Sequence, residues 1–187
     1  MPTHLGLLRG VNVGGRKLAM TDLRAAVASL GYTDVVTYIQ SGNVLFTAPD
    51  LDDSAISAAI SGAIAAGTGM DVGVVVRSKD ELAEVVSANP YPSEPDPKKL
   101  HAVLLSGAPG TELRERIASA ASAAAAKGSK DTITDGDRVL YLHTPDGFGR
   151  SDLSEKLMRL LSSPKAGVLG TARNWRTVNV LLNMFNG

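Results

Sequence analysis

At 187 residues with 44% hydrophobic content, the chain is long enough for one domain or two small ones, and disorder is not its default state. Nineteen basic residues balance nineteen acidic ones, which removes bulk attraction to polyanions and leaves room only for a local basic patch. The absence of cysteine excludes disulfides and thiolate metal sites and fits a reducing interior.

Aromatic residues make up only 4%, so the core must come from Ala, Val, Leu and Ile. Met1-Pro-Thr-His4 has neither the basic nor the apolar region of a secretory signal. No apolar run reaches the roughly eighteen residues of a membrane span. A soluble cytoplasmic protein without a membrane segment is expected.

Leu5 to Leu8 reads as a short buried strand. It runs into the glycine-rich, basic loop Arg9-Gly-Val-Asn12-Val-Gly14-Gly15-Arg16-Lys17. Leu23, Ala26, Val27 and Leu30 recur at helical spacing, which predicts a helix over 21–30 with Thr21 as N-cap and Gly31 as its stop. Asp34 to Gln40 is β-branched and aromatic, Ser41-Gly42-Asn43 has turn chemistry, and Val44 to Thr47 is the returning strand. An alanine-rich helix over 54–66 and an apolar strand over 72–77 complete a strand–helix–strand–strand–helix–strand series.

That order predicts an α+β fold with a ferredoxin-like βαββαβ N-terminal half, two helices on a four-stranded antiparallel sheet. The right-handed crossover rule makes the first two strands parallel with the third between them. The loop after the first strand and the turn between strands two and three then meet at one edge. Arg9, Asn12, Gly14, Gly15 and Lys17 are thereby expected beside Gln40, Ser41 and Asn43, with the N-terminus of the first helix pointing to the same place.

A short helix over 79–88 precedes Asn89-Pro-Tyr-Pro-Ser-Glu-Pro-Asp-Pro97, whose four prolines forbid helix and favour an extended linker. The expected division is 1–88, a proline-rich linker 89–98, and 99–187. In the second part a strand over 100–105, a helix over 112–127, a hairpin over 132–142 turning at Asp135-Gly136, a helix over 151–161, a strand over 168–172 and a last helix over 174–185 form a related α+β half. The periodicity recurs without a residue-level repeat.

Gly10-Val-Asn-Val-Gly-Gly15-Arg16-Lys17 comes near the phosphate-cradling G-x-x-x-x-G-K-[ST] loop. Arg16 stands where lysine is needed and Lys17 where the hydroxyl is needed, so a P-loop NTPase is rejected. Two readings stay open: anion binding by backbone amides with Arg9, Arg16 or Lys17, and a glycine turn with solvated basic residues. Gln40-Ser-Gly-Asn43 is a hairpin by itself and a source of orienting amides and hydroxyl if it faces the first loop. Trp175, the only tryptophan, lies between Arg173-Asn174 and Arg176. It reads either as a recognition surface or as the anchor of the last helix, with Thr171 or Asn174 as cap. Asp146-Gly-Phe-Gly-Arg-Ser151 reads first as a turn with Ser151 as N-cap, and second as another anion site with Arg150 near its start. No spacing among His4, His101, His143 and the carboxylates suggests a metal, and no cofactor is implied.

Leu7-Leu-Arg-Gly-Val-Asn-Val-Gly-Gly15, Thr37-Tyr-Ile-Gln-Ser-Gly-Asn-Val44 and Thr171-Ala-Arg-Asn-Trp-Arg-Thr177, in this order, closely resemble the bacterial family called domain of unknown function 1697. Asn89-Pro90-Tyr91 and Gly149-Arg150-Ser151 are similar to its weaker motifs. Val11 replaces a usual isoleucine and Arg176 a usual asparagine, the second adding charge beside Trp175. The resemblance implies an α+β fold with a ferredoxin-like N-terminal part and supplies no activity. By fold analogy alone, Arg9 or Arg16 with Asn43 is loosely similar to the phosphate site of acylphosphatases, whose motif is absent.

The expected function is binding of an anionic, phosphate-bearing small molecule by Arg9, Asn12, Gly14, Gly15, Lys17, Gln40, Ser41 and Asn43, with Arg173, Asn174 and Trp175 completing the pocket. Alternatives are a phosphoryl- or acyl-phosphate-processing enzyme at the same place and a nucleic-acid-binding module. The last lacks an aromatic stacking platform on the central strands, where only Phe46 and Tyr38 are aromatic.

Overall fold

The computed structural model describes residues 1–49 and 51–186. By contact the chain divides into two compact units, Met1–Ala83 together with the residues from Val180 onward, and Glu84–Asn179.

In the first unit, β1 (His4–Leu8), α1 (Met20–Ser29), β2 (Thr33–Tyr38), β3 (Asn43–Thr47), α2 (Asp53–Thr68) and β4 (Val74–Ser78) follow in the expected series. The sheet order is β2-β3-β1-β4, and every neighbouring pair is antiparallel. β1 and β2 are therefore parallel with β3 between them, as the crossover rule requires. One face of this sheet carries Leu8, Val44, Phe46, Val74 and Val76, which cluster with Leu23 and Val27 of α1 and Ile56, Ile60 and Ile64 of α2. The four-residue spacing of those isoleucines gives α2 one continuous apolar stripe. Removing any one of them to Ala would cost about 2–5 kcal/mol. Gly6 lies where a Cβ would come within 3.1 Å of Val44 Cγ1, so close strand packing explains a glycine inside β1.

Helix α3 (Lys79–Ser87) follows, and the second sheet contains β5 (Leu100–Leu105), β6 (Thr132–Gly136), β7 (Val139–His143) and β8 (Gly170–Asn174) in the order β6-β7-β5-β8. Helices α4 (Thr111–Ala126) and α5 (Asp152–Ser162) cover one face, with Leu113, Ile117, Leu153, Leu157 and Leu161 against Val103, Leu105, Leu140 and Leu142. Helix α6 (Trp175–Met184) ends the series. The α+β architecture with a second, related half is the one expected.

Several local expectations are corrected. Helix α1 begins at Met20 with Ala19 as N-cap, a residue with no side chain to offer, so Thr21 lies inside the first turn. The β2–β3 turn spans Ile39 to Gly42, and Asn43 is already strand. Asp135-Gly136 ends β6 and does not turn; the reversal falls at Asp137-Arg138, with Arg138 at φ 49. Gly136 is required for another reason: a Cβ there would meet Val139 Cγ1 at 2.7 Å and Tyr141 Cε2 at 2.8 Å. The proline-rich stretch is not a free tether. The Tyr91 hydroxyl bonds Thr132 Oγ1 and Thr134 Oγ1, and Glu94 Oε2 pairs with His143 Nε2 at 2.6 Å.

The halves correspond residue by residue where the sequence shows no repeat. Arg24 Nη1 donates to Thr37 Oγ1, and Arg114 Nη1 pairs with Asp135 Oδ2 at the same strand position. Arg77 and Arg173 are buried at matching places on β4 and β8, and each donates to the carbonyl of the preceding residue. Ser78 and Asn174 follow them and accept from Glu81 N and Thr177 N. Such pairs escape sequence comparison because chemistry is kept while residue type changes.

Candidate functional site

The connection after β1 is eleven residues long (9–19), against five (106–110) after β5. The difference is a small hairpin. Asn12 N donates to Arg16 O at 2.7 Å and Arg16 N to Val13 O at 3.2 Å, closing a two-residue turn at Gly14-Gly15. Those glycines sit at φ 57 and φ 86, the positive values a tight hairpin turn needs, and no atom crowds the position of a Cβ on either.

Asn12 holds this hairpin to the sheet. Its Nδ2 donates to Leu18 O at 3.0 Å and to Gln40 O at 2.5 Å, while Oδ1 accepts from Leu18 N at 3.0 Å. Asn12 is at φ 56, a left-handed conformation that asparagine tolerates better than most residues. Leu8 N donates to Gly42 O at 2.8 Å, so the two connections are stitched at a second point. The meeting of loop and turn derived from strand order is thus realised, with Asn12 and Gln40 in direct contact.

The residues differ in how they face solvent. Val13, Gly14, Gly15, Arg16 and Lys17 are exposed, as is Gln40. Arg16 Nη2 donates to Asp71 O at 2.5 Å, which lays the guanidinium over Gly10. Among the described residues nothing engages the Lys17 ammonium. Arg9 is half-buried, its backbone N donates to Gly73 O, and desolvation lowers its pKa from the usual 12.5. Asn43 is 0% exposed, and its Nδ2 donates to Tyr38 O and Ser41 Oγ, both at 3.0 Å. It therefore shapes the turn and presents nothing to solvent, unlike the surface amide expected from the sequence.

A cavity of about 680 Å³ opens beside the hairpin. It is lined by Arg16, Lys17 and Leu18 of the hairpin, by Asp22 in the first turn of α1, and by Gly67 to Met70 at the C-terminus of α2. Sequence reasoning missed Asp22 and Thr68. The signal was present in the topology: β4 starts opposite Leu8, so the C-terminus of α2 must arrive at the edge where β1 ends. Gly69 at φ 72 is the left-handed cap that marks that terminus.

The other predicted residues lie in the second unit. Arg173 is 7% exposed and donates to Thr171 Oγ1 at 2.8 Å and to Ala172 O at 2.9 Å; burial pushes its pKa down to about 10. Asn174 caps α6, and Trp175 opens that helix with its ring 6.2 Å from Tyr141. Of the two readings of this segment, the helix anchor with an Asn174 cap describes its geometry.

Among the described residues, no group of three or more His, Cys, Asp or Glu has a geometry that could hold a metal, and no helix is long and apolar enough to cross a membrane. Residues 1–141 match the model of a family described as Protein of unknown function (DUF1697). Among solved structures the chain is similar to a conserved bacterial protein from Streptococcus pneumoniae, at 19% identity and a TM-score of 0.71, covering 100% of this chain and 99% of that one. At that identity the likeness speaks for the fold alone. No curated protein matches the chain.

Proposed function

The chain belongs to the DUF1697 family, whose match over residues 1–141 takes in the first two of the three sequence blocks, and from its own geometry we propose that it binds a phosphate-bearing small molecule at the edge joining the 9–19 loop to the 39–42 turn. The observation that carries this reading is the Asn12 clamp, which holds an exposed basic hairpin against the neighbouring turn. The second half supplies a control. Its corresponding connection, residues 106–110, is short and carries no basic residue. An added hairpin with a free lysine is therefore not needed to build this half-fold.

Lys17 and Arg16 supply donors and positive charge, the glycine turn lets backbone amides come close to an anion, and Asn12, Gln40, Ser41 and Asn43 fix the shape of the edge. The N-terminal end of α1, with no side chain capping it, adds partial positive charge. The roles at this edge are binding and positioning, and no nucleophile or proton-transfer group is assigned.

Thermal unfolding with added inorganic phosphate and sugar phosphates tests the proposal. Occupancy at a hundred times Kd stabilises by about 2.7 kcal/mol. General salting-out by phosphate raises the Tm of wild type and Lys17→Ala equally. A stabilisation confined to wild type supports the site, and equal stabilisation of both proteins contradicts it.

A further inference from the structure

We infer that the ligand of this edge is a phosphate monoester that also carries free hydroxyl groups, of the sugar-phosphate class, with Asp22 as the residue that selects it; the inference rests on the site proposed above. The cavity lining is divided by hydrogen-bonding sense. Among the lining residues, Arg16 and Lys17 can only donate. The Asp22 carboxylate supplies acceptors to the same lining. Thr68 belongs with Asp22, because its hydroxyl proton is already given to Ile64 O at 2.7 Å and the oxygen accepts from Met70 N at 3.3 Å. The C-terminal end of α2 adds carbonyl groups and partial negative charge to the lining.

Such a lining discriminates. Inorganic phosphate gains the two cations but places its charge near Asp22 with no compensating contact. A cationic ligand gains Asp22 and meets Lys17 and Arg16. A ligand that carries both an anion and neutral donors satisfies both sets of groups, and hydroxyl groups are those donors. Two cations against one carboxylate keep the lining net positive, as a phosphate ester requires. The cleft is broadly open to solvent and offers about 680 Å³.

Isothermal titration calorimetry of the full chain with inorganic phosphate, ribose 5-phosphate, 2-deoxyribose 5-phosphate and ribose tests this. Ribose 5-phosphate is expected to bind about tenfold more tightly than inorganic phosphate, equivalent to about 1.4 kcal/mol, with the deoxy sugar between them and ribose alone not binding. In Asp22→Ala, an exposed position, the affinity for inorganic phosphate should hold or rise while the tenfold preference collapses. If ribose 5-phosphate binds no tighter than inorganic phosphate, or if Asp22→Ala weakens both ligands by the same factor, the assignment of hydroxyl selection is overturned while the anion site stands. If Lys17→Ala leaves every titration unchanged, the site itself is wrong and the inference falls with it.

Discussion

Replacing Asn12 removes three hydrogen bonds at once, to Leu18 O, Gln40 O and Leu18 N. A net contribution of about 1 kcal/mol per bond sets an upper figure of about 3 kcal/mol, reduced where water replaces the lost partner. The backbone adds a separate term. At φ 56 an alanine pays about 1 kcal/mol or more that glycine does not. Asn12→Ala should therefore destabilise by about 2–4 kcal/mol, and Asn12→Gly by about 1 kcal/mol less. Asn12→Asp keeps the acceptor for Leu18 N but sets a carboxylate against the carbonyls of Leu18 and Gln40, so it should cost at least as much as Asn12→Gly. Urea unfolding of the four proteins, read through midpoints at constant slope, measures the series. Variants all within 0.5 kcal/mol of wild type (about the size of a surface substitution) would show that the hairpin is held by something other than Asn12.

Further expectations are independent of ligand. Gly42→Ala combines φ 76 with a Cβ at 2.6 Å from Val11 Cγ2 and 2.7 Å from Leu8 Cβ, and should lose about 2–5 kcal/mol in the same unfolding assay. His101 packs its ring 4.2 Å from Phe148, its Nδ1 is buried without a hydrogen-bond partner, and burial lowers its pKa from 6.5 to about 4. The unfolded chain thus takes up a proton that the folded one resists. Stability should be flat above pH 6.5 and fall by about 3 kcal/mol as pH drops from 6.5 to 4. A pH series on His101→Leu, in which that part of the slope disappears, checks the assignment. Arg114→Ala breaks an exposed ion pair with Asp135 and the hydrogen bond from Arg114 Nε to Pro109 O, and should cost about 1 kcal/mol. Thermal unfolding of that variant should differ little from wild type.

The sequence made the strand order legible because hydrophobic period and β-branched content mark elements, and the crossover rule then leaves few arrangements. The contact between Asn12 and Gln40 followed from that order alone. What escaped was decided by local geometry. Asn43 comes directly after a turn glycine and reads as a surface amide, yet β3 begins at it and buries it. Arg173 beside the tryptophan looks like an exposed cation, but strand alternation in β8 turns it inward, against the usual exposure of charged residues. Thr21 has the chemistry of a cap, while the path of the hairpin starts the helix one residue earlier. Asp22 and Thr68 carry no motif at all. Only their convergence at the sheet edge marks them.

Amide chemical shifts in the 15N-labelled full chain, followed during titration with ribose 5-phosphate, test the central claim most directly. Perturbations are expected to concentrate at Gly14 to Lys17, Asp22 and Gly67 to Gly69, saturating together with one affinity and absent in Lys17→Ala. Saturable shifts confined to other residues, or no saturable shift at millimolar ligand, would contradict it.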